Sequence, residues 1–151
     1  MPTRGRIYLE TTVVSYLAAR PSRDLRVAAH QQATSEWWTR RREDFDLFAS
    51  QLVVEEASAG DQEAASRRLE YLKGVPLLDL TDQSLALAER LLANDVVPTE
   101  AEEDALHSAV AAVHGMDYLL NATMRGQIER ACVEVDCDAP VICTPEELLE
   151  D

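Results

Sequence analysis

The sequence predicts an α/β fold with a mostly parallel central sheet of about five strands, covered by helices on both faces. Three observations carry this. Short apolar runs such as Ile7-Tyr8-Leu9, Tyr118-Leu119-Leu120 and Val141-Ile142-Cys143 alternate with longer stretches of helical periodicity. The strand runs are apolar throughout rather than alternating with polar residues, as in strands buried on both faces. Turn and cap residues punctuate almost every junction, so strands and helices succeed one another as right-handed crossover units require.

The elements follow in order. Ile7 to Leu9 forms a strand ending at Glu10, and Thr11 and Thr12 cap a helix over Val13 to Ala19 that Pro21 stops. Asp24 to Glu43 reads as one long amphipathic helix, with Leu25, Ala28, Ala29, Ala33, Trp37 and Trp38 on its apolar side and Arg40, Arg41 and Arg42 at the end that favours cations. Asp46 to Ser50 is a second strand, and Ser50 leads into a helix through Val53, Val54 and Ala57 that ends near Gly60. Asp61 caps a helix to Leu72, Gly74 and Pro76 break it, and Leu77 to Leu80 forms a third strand. Thr81 caps the next helix, to about Asn94. Pro98 and Thr99 open another, with Glu100, Glu102, Glu103 and Asp104 in its acidic first turn and Gly115 at its end. Tyr118 to Leu120 is the fourth strand, Arg125 to Val135 a helix, Val141 to Cys143 the fifth strand, and Thr144-Pro145-Glu146-Glu147 a helix start.

Composition bounds the function. A chain of 151 residues with 46% apolar and 28% charged residues suits one globular domain spanning residues 1–151, with no interdomain linker. The formal net charge of −14 argues against a general phosphate-binding surface, so a polyanionic substrate must be held locally. Cys132, Cys137 and Cys143 are odd in number and lack CxxC spacing, which reads as reduced core thiols. With no apolar run near the ~20 residues a membrane span needs and no signal-like start, a cytoplasmic protein without membrane contact is expected.

In open parallel sheets the functional crevice lies at the carboxyl ends of the strands. Glu10, Glu56, Asp104 and Asp117 are the acids adjoining strands or helix starts, and an oxygen-only ligand set of this kind suits Mg²⁺ or Mn²⁺ and phosphodiester hydrolysis. Each also has a plainer reading. Asp104, beside Glu102 and Glu103, could simply complement the helix dipole, Glu55 competes with Glu56, and Asp117 could turn the chain after Gly115. Glu10 resists such a reading, since a charge directly after an apolar central strand is unusual without a partner. His107 could orient Asp104, donate to phosphate, or be satisfied by a neighbour. The Trp37-Trp38 pair reads as core or subunit contact before a base-stacking platform, and Arg40 to Arg42 with Arg67 and Arg68 as solvated helix faces that are also the best local cations for RNA.

Ile7 through Leu17, Ser50 through Glu56, Asp104 through Ala109, Gly115 through Leu120 and Cys143 through Leu148 together resemble PIN-domain proteins of the VapC toxin type. The resemblance spans nearly the whole chain. It implies a three-layer α/β/α domain, an acidic Mg²⁺ or Mn²⁺ site, endoribonuclease activity in a toxin-antitoxin pair, homodimerisation, RNA as substrate and a small antitoxin protein as partner. By position Glu10 takes the place of the first acid, which is usually Asp in the family, Glu56 that of the second and Asp104 that of the third; Thr11, His107 and Asn121 fall on the substrate side. One departure stands out. After Leu120 the chain passes to Asn121-Ala122-Thr123-Met124-Arg125, where related sequences carry a segment such as Thr-Trp-Asn followed by a basic residue and His, so that about a helical turn or two is absent. That segment supplies the fourth polar position and a phosphate-facing Thr, with Asn121 as a shifted substitute here. The departure sets a second reading beside the nuclease: a catalytically impaired PIN-like protein that binds RNA or protein. A third is an unrelated α/β domain whose acids are only caps.

Overall fold

The computed structural model describes residues 4–93, 102–122 and 141–149. The helix expected over Arg125 to Val135, the opening at Pro98 and Thr99, and Cys132 and Cys137 lie outside them. Among the described residues five strands form one all-parallel sheet: β1 (Gly5–Leu9), β2 (Phe45–Ser50), β3 (Leu77–Leu78), β4 (Tyr118–Leu120) and β5 (Val141–Cys143), in the order β3-β2-β1-β4-β5. The first strand is therefore central, paired with β2 through Ile7 opposite Leu47 and with β4 through Leu9 opposite Leu120.

Alternation along these strands feeds two cores. Tyr8, Ala49, Leu119 and Ile142 face one layer, packed against Val53 and Ala57 of α3 (Gln51–Ala57), Leu72 of α4 (Gln62–Leu72), Leu87 and Leu91 of α5 (Asp82–Ala93), and Ala109 and Val110 of α6 (Glu102–Val113). Ile7, Leu9, Leu120 and Cys143 face the other layer, against Val13 of α1 (Thr11–Ala18), Trp37 of α2 (Leu25–Arg40) and Leu148 of α7 (Pro145–Leu149). Successive side chains in a strand point to opposite faces, so an apolar run of three supplies both layers at once.

Several element boundaries differ from the expectation. The cap of α1 is Glu10 itself, whose carboxylate accepts the Thr12 N–H at 2.8 Å, so the helix starts at Thr11. The long helix α2 ends at Arg40, and a 3-10 turn over Arg42–Asp44 follows. Its inward stripe runs through Thr34 and Trp37, while Leu25, 86% exposed, and Ala29 lie on the solvent side. β3 stops at Leu78 rather than Leu80 because its partner Ser50 is the last residue of β2 before the chain turns into α3. Of the arginines in the expected cationic patches, Arg41 and Arg68 are tied into the fold, Arg41 donating to the Leu148 carbonyl at 2.9 Å and Arg68 to the Ala57 carbonyl at 2.9 Å, while Arg40 is exposed. Gly115 ends α6 at φ 68°, with its own N–H on the Ala112 carbonyl and that of Met116 on the Ala111 carbonyl, the paired closure a left-handed glycine permits.

Candidate metal centre

The site forms where β1, β2 and β4 end and α6 begins. Glu10 is the first residue after β1 and is 6% exposed. Burial pushes its carboxyl above the ordinary range; His107 and the bonds to Thr12 partly offset this, and the neighbouring Glu56 pushes it further up. The capping bond to Thr12 fixes one carboxylate oxygen, and the other lies 3.9 Å from His107 Nε2. Ser50 ends β2 and caps α3, which places Glu56 on the inward side of that helix while Glu55 points to solvent. Glu56 Oε1 accepts the Thr11 hydroxyl and lies 2.8 Å from His107 Nε2.

The amino-terminal half of α6 brings the remaining groups. Asp104 and His107, three residues apart, share one helix face. Together with Glu10, Ser108, Leu119, Asn121 and Ile142 they line a small cavity. Asp104 is half-buried, and its carboxyl too is held above the ordinary range, by burial first and by Glu56 last, with His107 opposing. Asn121, directly after β4, accepts the Thr12 hydroxyl at 3.2 Å, and Thr12 Oγ1 in turn accepts the Ala122 N–H at 2.9 Å. Glu10, Glu56 and His107 each present a ligand atom, all within 4.8 Å of one another, so these three could hold a metal ion. The Glu10 and Asp104 carboxyls, both driven above their usual range by burial and further by the neighbouring Glu56, are the electrostatic counterpart of that geometry, because a cation would relieve both effects.

Six of the seven residues singled out by sequence, Glu10, Thr11, Glu56, Asp104, His107 and Asn121, meet at this end of the sheet. Asp117 does not. It precedes β4, is exposed, and closes the amino end of the sheet: its carboxylate accepts the Arg6 N–H at 2.8 Å and its own N–H binds the Arg6 carbonyl at 3.0 Å. Glu10 lies four residues further along β1 than Arg6, about 13 Å at ~3.3 Å per residue, beyond reach of a shared ion. The acid that adjoins a strand does its work at whichever end it adjoins. Asp117→Ala should accordingly cost about 1 kcal/mol of stability for the lost backbone partner, read as a lower urea midpoint, and leave stabilisation by added divalent cation at the wild-type level. A vanished cation response in that variant would return Asp117 to the site.

Sequence reasoning missed Tyr8 and Ser50. The Tyr8 hydroxyl, fully buried, lies 2.8 Å from Ser50 Oγ and 2.6 Å from His107 Nδ1. A signal existed: with period two along β1, Tyr8 shares a face with Glu10, and it brings a phenol to a position otherwise filled by hydrocarbon.

No protein-family model and no curated protein matches the sequence. Among solved structures the chain is similar to one in the crystal structure of VapBC2 from Rickettsia felis bound to a DNA fragment from their promoter, with 12% identity, a TM-score of 0.62, and coverage of 92% of this chain and 98% of that one. A likeness at that identity is one of fold, and with the parallel five-stranded sheet it gives this chain a PIN-like three-layer α/β/α fold.

Proposed function

We propose that this chain is a metal-dependent endoribonuclease, the toxin of a toxin-antitoxin pair. The observation that carries the reading is the convergence of Glu10, Glu56 and Asp104, from three separate elements, on one end of the sheet, with the Glu10 and Asp104 carboxyls held above their usual range. The fold likeness to a VapBC2 structure supports the same class. Glu10, Glu56 and Asp104 would hold Mg²⁺ or Mn²⁺, and such a cation, when bound, supplies charge neutralisation at a phosphodiester and acidifies water beside it. Thr11 holds Glu56 in place, and Asn121 takes the fourth polar position at the end of β4, with RNA entering beside it. An antitoxin protein and a second copy of the chain are the expected partners, and one PIN-like domain over 1–151 in the cytoplasm is the expected setting. Among the described residues no helix is long and apolar enough to cross a membrane.

Purified protein should cut a mixed RNA substrate with Mn²⁺ or Mg²⁺ and stop with EDTA, and Asp104→Asn should abolish the cutting. Unchanged cleavage in that variant would sink the assignment. The departure of Asn121-Ala122-Thr123-Met124-Arg125 from the segment that the resemblance implies motivates the second reading, an RNA- or protein-binding PIN-like protein without turnover; a folded wild type that binds RNA or an antitoxin yet never cuts would establish it.

A further inference from the structure

His107 is offered two incompatible roles by its geometry. As a ligand, its Nε2 would present a lone pair to the ion; as a hydrogen-bond donor, the same Nε2 would carry a proton toward Glu56 at 2.8 Å. Counting protons along the buried chain behind it decides between them. Ser50 is fully buried, and its Oγ has two partners, the Tyr8 hydroxyl at 2.8 Å and the Val53 N–H at 3.5 Å. The Val53 N–H can only donate, so the single Ser50 proton has one acceptor among the described residues, the Tyr8 oxygen. Tyr8, fully buried and with one hydroxyl proton, must then give that proton to His107 Nδ1 at 2.6 Å. An Nδ1 that accepts leaves Nε2 as the protonated nitrogen of a neutral ring, and Nε2–H faces the Glu56 carboxylate, which accepts. Reversing the chain would strand the Ser50 proton in the core without an acceptor, at the cost that buried orphan donors carry.

We propose that Ser50, Tyr8 and His107 form a one-way chain of hydrogen bonds that fixes His107 as the neutral Nε2–H tautomer donating to Glu56, which makes it a positioning residue and excludes it from the metal's ligands. The inference rests on reading the carboxylate cluster as a metal site. It adds that the ion meets oxygen donors alone, a set suited to Mg²⁺ or Mn²⁺ and poorly suited to cations that seek imidazole, such as Zn²⁺. It also gives the hydroxyls of Tyr8 and Ser50 a purpose at the site, since an outer partner that fixes an imidazole's tautomer sets which nitrogen faces inward.

The test is ¹⁵N-labelled full-length protein, with two-bond ¹⁵N–¹H correlations of the imidazoles at neutral pH. The sequence has three histidines, so loss of one pattern in His107→Asn assigns the ring. The expected result is a protonated Nε2 and an unprotonated Nδ1 in metal-free protein, unchanged when Mg²⁺ is added. A protonated Nδ1 with bare Nε2, a doubly protonated ring, or a switch to bare Nε2 on adding Mg²⁺ overturns the proposal. Tyr8→Phe, nearly isosteric, should convert the single tautomer into a mixture; a tautomer as pure as in wild type would remove Tyr8 from the role. Failure of the metal reading looks different, since Mg²⁺ would then shift no resonance around Glu10, Glu56 or Asp104 whatever the tautomer of His107.

Discussion

Glu10→Gln should melt at a higher temperature than wild type in metal-free buffer at neutral pH, and should at the same time lose both cation-induced stabilisation and RNA cleavage. The two effects share one cause. The Glu10 carboxylate is almost wholly buried, and burial followed by repulsion from Glu56 makes its ionised form costly to the empty fold. Glutamine keeps the oxygen that caps the Thr12 N–H and removes the charge. A gain on the order of 1 kcal/mol, seen as roughly 2–4 °C, is expected from relieving one such strained charge, the trade that sites built for binding commonly make against stability. In wild type a cation at about 100 times its Kd should stabilise by about 2.7 kcal/mol, and the variant should show none of this. Cleavage should fall on the order of a hundredfold or more, because a ligand to the ion carries several kcal/mol of charge stabilisation. Lower stability in Glu10→Gln with cleavage intact would mark Glu10 as a cap and nothing else.

The pH dependence of the metal-free protein follows with a definite sign. Glu10 and Asp104 both have carboxyls raised in the fold above the unfolded values, 4.5 and 3.8. Such groups hold protons more tightly folded than unfolded, so stability rises as pH falls. Their penalty is complete at pH above the raised folded values, fades as the pH drops through them, and is gone below the unfolded ones. Thermal melts from neutral pH toward about pH 5 should therefore show a rising midpoint in EDTA, a rise that saturating Mg²⁺ flattens and that Glu10→Gln largely removes.

The largest loss of stability is expected from Trp37→Ala, about 3–5 kcal/mol, read as a lowered urea midpoint at unchanged m-value. Trp37 is fully buried in the core formed with Ile7, Leu9, Val13, Leu120, Cys143 and Leu148, with the rings of Phe45 and Trp38 at 6.2 and 6.4 Å. Against a total of roughly 5–15 kcal/mol for a domain, that loss is a large share and could leave the chain mostly unfolded in the warm. Trp37→Phe should cost much less, for a reason beyond size. The indole N–H is buried with no hydrogen-bond partner among the described residues, so phenylalanine gives up contact area while also discarding an orphaned donor. Equal losses for the two substitutions would show that the indole N–H is satisfied in solution.

Much of the fold was legible in the sequence because buried parallel strands announce themselves as unbroken apolar runs between cap and turn residues. Glu10 was legible for the same reason: the boundary between Leu9 and Glu10 is abrupt. What local pattern cannot supply is direction. Asp117 and Glu10 both adjoin a strand, yet one lies before its strand and the other after, and only the parallel sheet turns that difference into opposite ends of the molecule. The choice between Glu55 and Glu56 likewise waits on where Ser50 starts α3, since one residue rotates a side chain by about 100° around a helix. His107 was noticed with its role left open between orienting Asp104, donating to phosphate and being satisfied by a neighbour, and the last is what the structure shows. Its ring nitrogens bond Tyr8 and Glu56, a pairing that depends on β1, α3 and α6 meeting and that spacing within one helix cannot reveal.

The central place of β1 has a consequence in time. Tyr8 and His107, in contact in the finished molecule, are separated by 99 positions of the chain. At the ~5–20 residues per second of synthesis, roughly 5 to 20 s pass between the emergence of the first carboxylate and that of its histidine. During that interval the ribosome carries a chain whose middle strand has one of its two neighbours missing and whose cluster is half built. A protein of this topology is born with its carboxylate cluster unfinished and completes it late, when α6 and β4 close against a strand made long before. For those seconds Glu10 and Glu56 stand without the histidine that lies between them in the finished fold.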